Sequence, residues 1–391
     1  MNMIRQQRKI IDRLAVVERL EAILSPTGYK PELRADLVAV MKVVWQDGYA
    51  EVRARFEASG DGQQSAVENS FLVDQLVRII FDMATWRVYR APNLSKAEKM
   101  SVIAVGGYGR GRLAPFSDVD LLFLLPYKET PFIEQVVEFM LYMLWDMGLK
   151  VGHATRSIGD CMRLAKSDVT IQTSLLDARW LWGDQELFAE FTARFKAELT
   201  ERGGNAFVEA KLAERNERHE RMGDTRYVVE PNIKEGKGGL RDLQTLYWLV
   251  RHLYGVDRID QLAEHEVFTE QDISRYSKAR DFLWTVRCHL HYLSGRAEER
   301  LTFDVQKTIS EAMGYAGDRA GISAVERFMK HYFLIAKNVG DLTRVLCAVL
   351  EEQHKKRTLF RLPGLQLRRV KVDGFITDGG RINVENDHAF K

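Results

Sequence analysis

Hydrophobic residues recur at helical spacing through the first ninety positions of the chain. Apolar side chains three and four positions apart predict amphipathic helices over residues 3–24, 31–58 and 65–89. The segment Gly60-Asp61-Gly62 separates the last two of these helices, because glycine interrupts a helical pattern. We therefore expect an N-terminal helical region, residues 1–95.

Between residues 96 and 184 the pattern changes to short apolar runs that alternate with helical segments. Two mainly apolar segments, residues 101–106 and 119–125, predict buried strands, and the second is continuously apolar from Leu121 to Leu125. Residues 152–157 are expected to form the next strand. Helical spacing returns at residues 132–147 and 159–166. Strands that alternate with helices indicate an α/β core, residues 96–184.

Beyond residue 184 the pattern is almost entirely helical. It predicts helices over residues 185–200, 207–222, 240–254, 271–293, 303–313 and 323–354. We expect a helical bundle domain, residues 185–356, with a polar, glycine-rich interruption at residues 225–239. Residues 357–391 show no core of their own and are expected to form a linker or tail. The predicted fold class is α/β plus all-α.

Composition and charge narrow the class of protein. The chain has 391 residues, enough for two domains at about 150 residues each. A net charge of +2 gives no support for bulk electrostatic binding to nucleic acid. Three widely separated cysteines disfavour a zinc site or a disulfide scaffold and favour a cytoplasmic location. No run reaches the ~18 apolar residues that a membrane span needs.

The candidate chemistry begins at a glycine-rich turn, residues 105–112, which is followed by Asp118 and Asp120 at the head of an apolar strand. These two side chains lie on one face, because residues i and i+2 of a strand share a face. Carboxylates held this close repel each other, and Mg²⁺ relieves the repulsion while also binding substrate phosphates. The bare amides of Gly106 and Gly107 suit a phosphate chain. The combination predicts nucleotidyl transfer from a nucleoside triphosphate.

Neither half of this pattern is specific by itself. A glycine-rich turn is often only a turn, and Asp-x-Asp is often a capped loop or an exposed strand edge. The segment is not a Walker P-loop, since no Gly-Lys-Ser/Thr follows. It also differs from a dinucleotide fingerprint, because the glycine spacing is wrong and no helix is expected directly after the turn. The order of turn, carboxylates and apolar strand favours a metal–nucleotide site.

Cations near the motif provide candidate phosphate ligands. Arg110 is the nearest cation that could clamp a triphosphate, and Ser117 either contacts phosphate or caps the turn. Further along, Lys234, Lys237 and Arg241 surround glycines just before a predicted helix. Cations and free amides at a helix N-terminus favour an anion. This segment is therefore a second candidate nucleotide clamp, and the alternative is a solvated basic loop.

The segment from Gly106 to Leu124 resembles the DNA polymerase β superfamily of nucleotidyltransferases and, within it, the bacterial PII uridylyltransferase/uridylyl-removing family. Residues 230–244 and 295–306 are also similar to that family, so the resemblance covers most of the chain. It implies a polymerase β-like domain with N-terminal helices and a C-terminal helix bundle. It further implies transfer of UMP from UTP to a tyrosine hydroxyl of the PII signalling protein, release of diphosphate, and two Mg²⁺ ions.

The resemblance also implies a third carboxylate, which in the superfamily binds metal near the attacking hydroxyl. Asp177, in Leu175-Leu176-Asp177-Ala178-Arg179, resembles that segment, and the alternative is an aspartate that ends a strand or caps a helix. The predicted catalytic and metal-binding residues are thus Asp118, Asp120 and Asp177. The family normally continues into a hydrolase domain with a His-Asp pair and then glutamine-sensing domains. The chain contains no His-Asp dipeptide, so we expect the N-terminal part of such an enzyme.

Three other functions fit parts of the sequence. An adenylyltransferase of the glutamine synthetase-modifying type would use the same chemistry on other substrates. A non-catalytic sensor would bind the nucleotide and dock a partner on the helix bundle, although the intact pair Asp118 and Asp120 argues against it. RNA tailing is disfavoured by the near-neutral charge and by the absence of a basic stripe interleaved with aromatic residues outside the tail.

Overall fold

The computed structural model describes most of the chain: residues 4–24, 28–90, 95–200, 206–256, 258–265, 267–317 and 321–359, and strands at 370–372, 375–378 and 381–384. Side chains are described up to residue 349, except at 263. Among the described residues, no helix is both long and apolar enough to cross a membrane.

Helices form the N-terminal region, as the apolar spacing predicts: α1 (Gln7–Ile10), α2 (Arg13–Leu24), α3 (Arg34–Ser59) and α4 (Gly62–Met83). The single helix expected over residues 3–24 is wrong, because Ile11 is extended and separates α1 from α2. Asp12 starts the second helix by accepting the Ala15 N–H at 3.4 Å. Asp61 likewise starts α4 by accepting the Gln64 N–H at 2.9 Å, three residues earlier than predicted.

A four-stranded sheet follows, with strands β1 (Ser101–Ala104), β2 (Val119–Leu125), β3 (Val151–Ser157) and β4 (Arg179–Gly183) in the spatial order β3-β2-β1-β4. Strand β1 runs antiparallel to both β2 and β4, whereas β2 and β3 are parallel. The carboxyl end of β1 therefore meets the amino ends of the other three strands at one end of the sheet.

Helices cover both faces of this sheet: α5 (Gly106–Gly109), α6 (Pro131–Asp146), α7 (Ile158–Ser167), α8 (Val169–Leu176) and α9 (Gln185–Phe195). Val119, Leu121 and Phe123 of β2 pack with the N-terminal helices and α6, whereas Leu122 and Leu124 pack with α7 and α9. The glycine turn itself contains one helical turn, α5, and residues 110–118 between it and β2 form no helix, as expected. Helix α8 was not predicted from the sequence; Asp168 caps its start by accepting the Thr170 N–H at 2.7 Å.

Five α-helices follow in the described part of the chain: α10 (Ala206–Arg221), α11 (Leu240–Tyr254), α12 (Glu270–Ser294), α13 (Phe303–Ala312) and α14 (Ala324–Leu359). Residues Met1–Thr343 form one compact unit, so the predicted boundaries at 95 and 184 lie within a single body. The predicted class, α/β plus all-α, is confirmed.

A second unit, Arg344–Lys391, contains the end of α14 and an antiparallel sheet of β5 (Val370–Val372), β6 (Phe375–Asp378) and β7 (Arg381–Val384). The sequence analysis expected only a linker or tail over residues 357–391 and missed these strands. The other residues of that predicted tail, apart from the last turn of α14, lie outside the described residues.

Candidate active site

The Asp120 carboxylate lies between two glycines at the end of the sheet. Asp120 is opposite Gly152 in the β2–β3 register, and a Cβ at Gly152 would lie 2.7 Å from Asp120 Oδ1. On the other side, a Cβ at Gly106 would lie 3.3 Å from Oδ2. Gly106 also has a φ of +56°, a backbone conformation that favours glycine. Both glycines therefore leave the carboxylate oxygens open to a ligand.

Burial and charge make the ionised form of Asp120 costly. Burial raises the pKa of Asp120, the exposed neighbour Asp118 raises this pKa further, and Lys234 offsets part of the increase. A carboxylate pair with too little positive charge around it favours a cation. This donor set and the space between the glycines fit a divalent metal ion such as Mg²⁺.

The described residues contain no cluster of three or more histidine, cysteine or acidic side chains that could hold a metal. A metal at Asp118 and Asp120 would therefore complete its coordination with water and substrate phosphate, as Mg²⁺ commonly does.

We expect Gly152→Ala to lower transfer activity roughly a hundredfold, because the added methyl group displaces Asp120 Oδ1 and a small misplacement is costly in catalysis. The melting temperature should not fall, since Gly152 does not have a positive φ and Asp120 can rotate away. Initial transfer rates and thermal melts would test this. Gly159→Ala is the matched control, because its nearest neighbour is Ser157 Oγ at 3.7 Å. Equal activity in the two variants would contradict the prediction.

A pocket of about 550 Å³ opens beside Asp120. Its lining combines the turn after β1, helix α8, helix α10 and the start of α11, and includes Gly106, Gly107, Arg110, Asp120, Ser174, Lys211, Arg218, Arg221, Arg241 and Trp248. The predicted phosphate ligands Gly106, Gly107, Arg110 and Arg241 are thus brought together with two predicted metal ligands, Asp120 and Asp177. Glycine amides and guanidinium groups around one pocket suit a triphosphate.

Trp248 and Lys211 contribute to this pocket but were missed as functional residues. The buried Trp248 ring has three cations over it, with Lys211 Nζ at 4.5 Å and the guanidinium carbons of Arg110 and Arg241 at 5.4 and 5.6 Å from the centroid. The packing role predicted for Trp248 is confirmed, because its side chain belongs to a buried hydrophobic cluster. For Lys211, the sequence did contain a signal. Lys211, Glu214, Arg218 and Arg221 recur every three or four residues, which places these charged side chains along one side of α10.

Asp177 directly follows α8, and its side chain is fully buried. Its Oδ2 accepts hydrogen bonds from Arg110 and from Trp248 Nε1, the latter at 2.9 Å, and its Oδ1 lies 3.8 Å from Arg251. By accepting these two hydrogen bonds, the Asp177 carboxylate fixes the position of Arg110, which lines the pocket. These contacts give Asp177 a positioning role. Asp177 also lines the same pocket as Asp120, and its Oδ1 has no hydrogen-bond partner among the described residues. A role for Asp177 as a third metal ligand stays a prediction.

The three residues of the second predicted nucleotide clamp, Lys234, Lys237 and Arg241, have different surroundings in the structure. Arg241 lines the pocket and donates to Glu235 at 2.9 Å, whereas Lys234 lies near enough to lower the pKa of Asp120. Lys237 instead donates to Asp224 Oδ1 at 2.6 Å and does not line the pocket. The predicted nucleotide role of Lys237 therefore has no geometric support, and its contact agrees with the solvated-loop alternative.

Buried Asp242, next to Arg241 in the chain, links α10 to the start of α11. It accepts from Arg218, from His219 Nε2 at 2.9 Å and from the Gly238 N–H at 2.7 Å.

A partly buried charge cluster, which we call the Glu299 cluster, joins the bundle to the loop before β2. Arg287 Nη2 donates to Glu299 at 2.5 Å and to Ser117 Oγ at 3.4 Å. Glu299 also lies 3.4 Å from His291 Nε2 and 3.9 Å from Lys234 Nζ. Burial acts to raise the pKa of Glu299, but His291 and Arg287 outweigh it and lower this pKa to about 2. Ser117 is therefore anchored to α12, next to Asp118.

Comparison with known proteins identifies a nucleotidyltransferase domain in the part of the chain that carries this site. Residues 92–174 match the model of the nucleotidyltransferase domain, which covers the glycine turn, both aspartates and β3. The chain thus contains a nucleotidyltransferase domain. Residues 206–347 match the model described as GlnD PII-uridylyltransferase.

Two curated relatives extend the similarity over nearly the whole chain. It is 53% identical over 388 residues to the bifunctional uridylyltransferase/uridylyl-removing enzyme of Azospirillum brasilense, covering 98% of this chain and 41% of the relative. It is 55% identical over 389 residues to the enzyme of that name from Rhodospirillum rubrum, covering 99% of this chain and 42% of the relative. The chain spans about two fifths of the length of these relatives.

Proposed function

We propose that the chain transfers UMP from UTP to a tyrosine hydroxyl of the PII signalling protein, with Mg²⁺ and in the cytoplasm. The observation that carries the transferase chemistry is the position of Asp120, which lies between Gly106 and Gly152 and lines a pocket rich in arginine. The choice of UTP and of PII is supported by the names of the relatives and of the matching family model.

In this reaction the tyrosine oxygen forms a bond to the α-phosphorus of UTP. The bond from that phosphorus to the oxygen bridging to the β-phosphate breaks, diphosphate leaves, and the hydroxyl proton is released. Little covalent chemistry is required of the protein, so positioning and charge stabilisation carry the catalysis. Bound Mg²⁺ would neutralise charge on the phosphate oxygens and orient them for in-line displacement.

The residues of the chain have distinct parts in this scheme. Asp118 and Asp120 would hold the metal, and the amides at Gly106 and Gly107 would receive the phosphate chain. Arg110 and Arg241 would offset the charge of the leaving diphosphate. Asp177 keeps Arg110 in place through the contact between their side chains, and the Glu299 cluster fixes Ser117 beside the metal ligands.

Label transfer to purified PII would test the proposal, with UTP or ATP labelled at the α-phosphorus and with Mg²⁺ present. We expect labelling of PII from UTP, little from ATP, and none after chelation of the metal. Transfer from ATP to glutamine synthetase would support the adenylyltransferase alternative. Metal-dependent binding of UTP without labelling of PII would contradict the proposal and favour a nucleotide sensor.

A further inference from the structure

Strand β3 forms one edge of the four-stranded sheet, and its outer side has no strand partner in the part of the chain that the structure describes. The Lys150 carbonyl accepts the Val119 N–H at 2.8 Å, so the backbone groups of Lys150 point towards β2. Since backbone groups alternate in direction along a strand, those of Val151, His153 and Thr155 point away from the sheet. Unpaired edge groups of this kind are a template for another strand.

This open edge lies next to the candidate metal ligands. Gly152 is exposed and is the β3 residue opposite Asp120. Because Gly152 has no side chain, nothing from β3 separates the edge from Asp120 Oδ1, whose distance to a Cβ there would be only 2.7 Å. A strand added at the usual spacing of about 4.8 Å would place the residue opposite Gly152 on the same face as Asp120.

The nucleotide pocket lies on the other side of the Asp120 carboxylate. Its lining includes Gly106, which faces Oδ2, and no residue of β3. In-line displacement requires the attacking oxygen to enter opposite the leaving diphosphate. The β3 edge therefore provides an approach for an acceptor that the bound nucleotide does not obstruct.

Exposed aromatic side chains flank the edge on the opposite face of the sheet. Trp145 is 42% exposed, and its ring lies 5.9 Å from that of His153 and 5.8 Å from that of Tyr142, which is 47% exposed. In an added strand, the residues before and after the one opposite Gly152 would point to this face. Solvent-exposed aromatic clusters are typical of protein-binding surfaces.

We propose that an extended segment of the acceptor protein, bearing its tyrosine, docks as an additional strand on the outer edge of β3. The tyrosine lies opposite Gly152 and points to Asp120, and the residues on either side of it contact Trp145 and His153. Main-chain hydrogen bonds to Val151, His153 and Thr155 hold the segment, and the aromatic side chains select its sequence. The inference rests on the proposed function, because it describes how the acceptor of that transfer binds.

His153→Pro tests the edge directly, since proline removes the outward N–H but is tolerated at solvent-facing positions of edge strands. We expect the KM for PII to rise roughly tenfold from the lost hydrogen bond and blocked pairing, with the KM for UTP unchanged. His153→Ala is the matched control, because it removes the ring and keeps the N–H, and it should raise the KM for PII less. Equal KM values for PII in the two variants would overturn the proposal.

Amide hydrogen exchange of the unmodified chain gives a second measurement that does not depend on the folding of a variant. Adding saturating PII should slow exchange at His153 and Thr155. Protection there supports docking even if PII is not labelled, an outcome that would count against the proposed function alone. Labelling of PII without protection at either amide would overturn the docking proposal and leave the proposed function intact. Absence of both labelling and protection would overturn both.

Discussion

Replacing Asp120 with asparagine is expected to lower the rate of label transfer by about a thousandfold, the scale seen when a preorganised charge is removed from an active site. Asn is nearly isosteric, so the change removes the negative charge between Gly106 and Gly152 without altering the packing there. Asp118→Asn should act in the same direction. Initial rates of UMP transfer at saturating UTP and Mg²⁺ would measure the effect.

Asp47→Asn is a suitable control for Asp120→Asn. Asp47 is exposed in the middle of α3 and does not line the pocket, so the same chemical change should leave the rate within about twofold of the original. A small effect of Asp120→Asn, close to that of Asp47→Asn, would show that Asp120 does not hold the metal.

Glu299→Gln is expected to lower the free energy of unfolding by about 3 kcal/mol, because a buried carboxylate would be lost from between its cationic partners. Equilibrium denaturation at neutral pH would measure this. Transfer activity should also fall, since Arg287 would lose the partner that holds it against Ser117. Glu298→Gln is the control, because Glu298 pairs with the exposed Arg296, and it should cost less than about 1 kcal/mol.

The effect of Glu299→Gln should depend on pH in a defined direction. The pKa of Glu299 is lowered from 4.5 to about 2 in the folded protein, so its ionised form contributes fully above the unfolded value. This contribution is lost as the pH falls from about 4.5 towards 2. The difference in unfolding free energy between the two proteins should shrink over that range. A difference that stays constant down to the lower pH would contradict the assignment.

Much of the fold could be predicted because its signals are local. The apolar run that forms β2 and the spacing that forms α11 gave the bounds Val119–Leu125 and Leu240–Tyr254. Errors occurred where one polar side chain decided the outcome, as Asp12 does between α1 and α2, and Asp168 does at the start of α8. Side-chain capping decides where these helices begin, and the spacing of apolar residues carries no information about capping.

In the candidate site, too, the residues that lie close together in the chain could be predicted, and those that meet only in the folded chain could not. Gly106 and Asp120 are close in the chain, so their chemistry could be inferred from spacing. Asp177 could not be assigned in this way, because its role depends on Arg110 and Trp248, which only the folded chain brings into contact with it. Lys237 stood among glycines and cations like a phosphate ligand, yet it pairs with Asp224 and does not line the pocket.

By itself the sequence determined the class of fold, the glycine turn and the pair Asp118 and Asp120, since each follows from residues near one another in the chain. Only the tertiary structure decided that Gly152 faces Asp120, that Trp248 gathers three cations, and that Glu299 anchors the loop before β2. These contacts depend on strand register and helix packing. Both are set by burial of the whole core, so no local pattern encodes them.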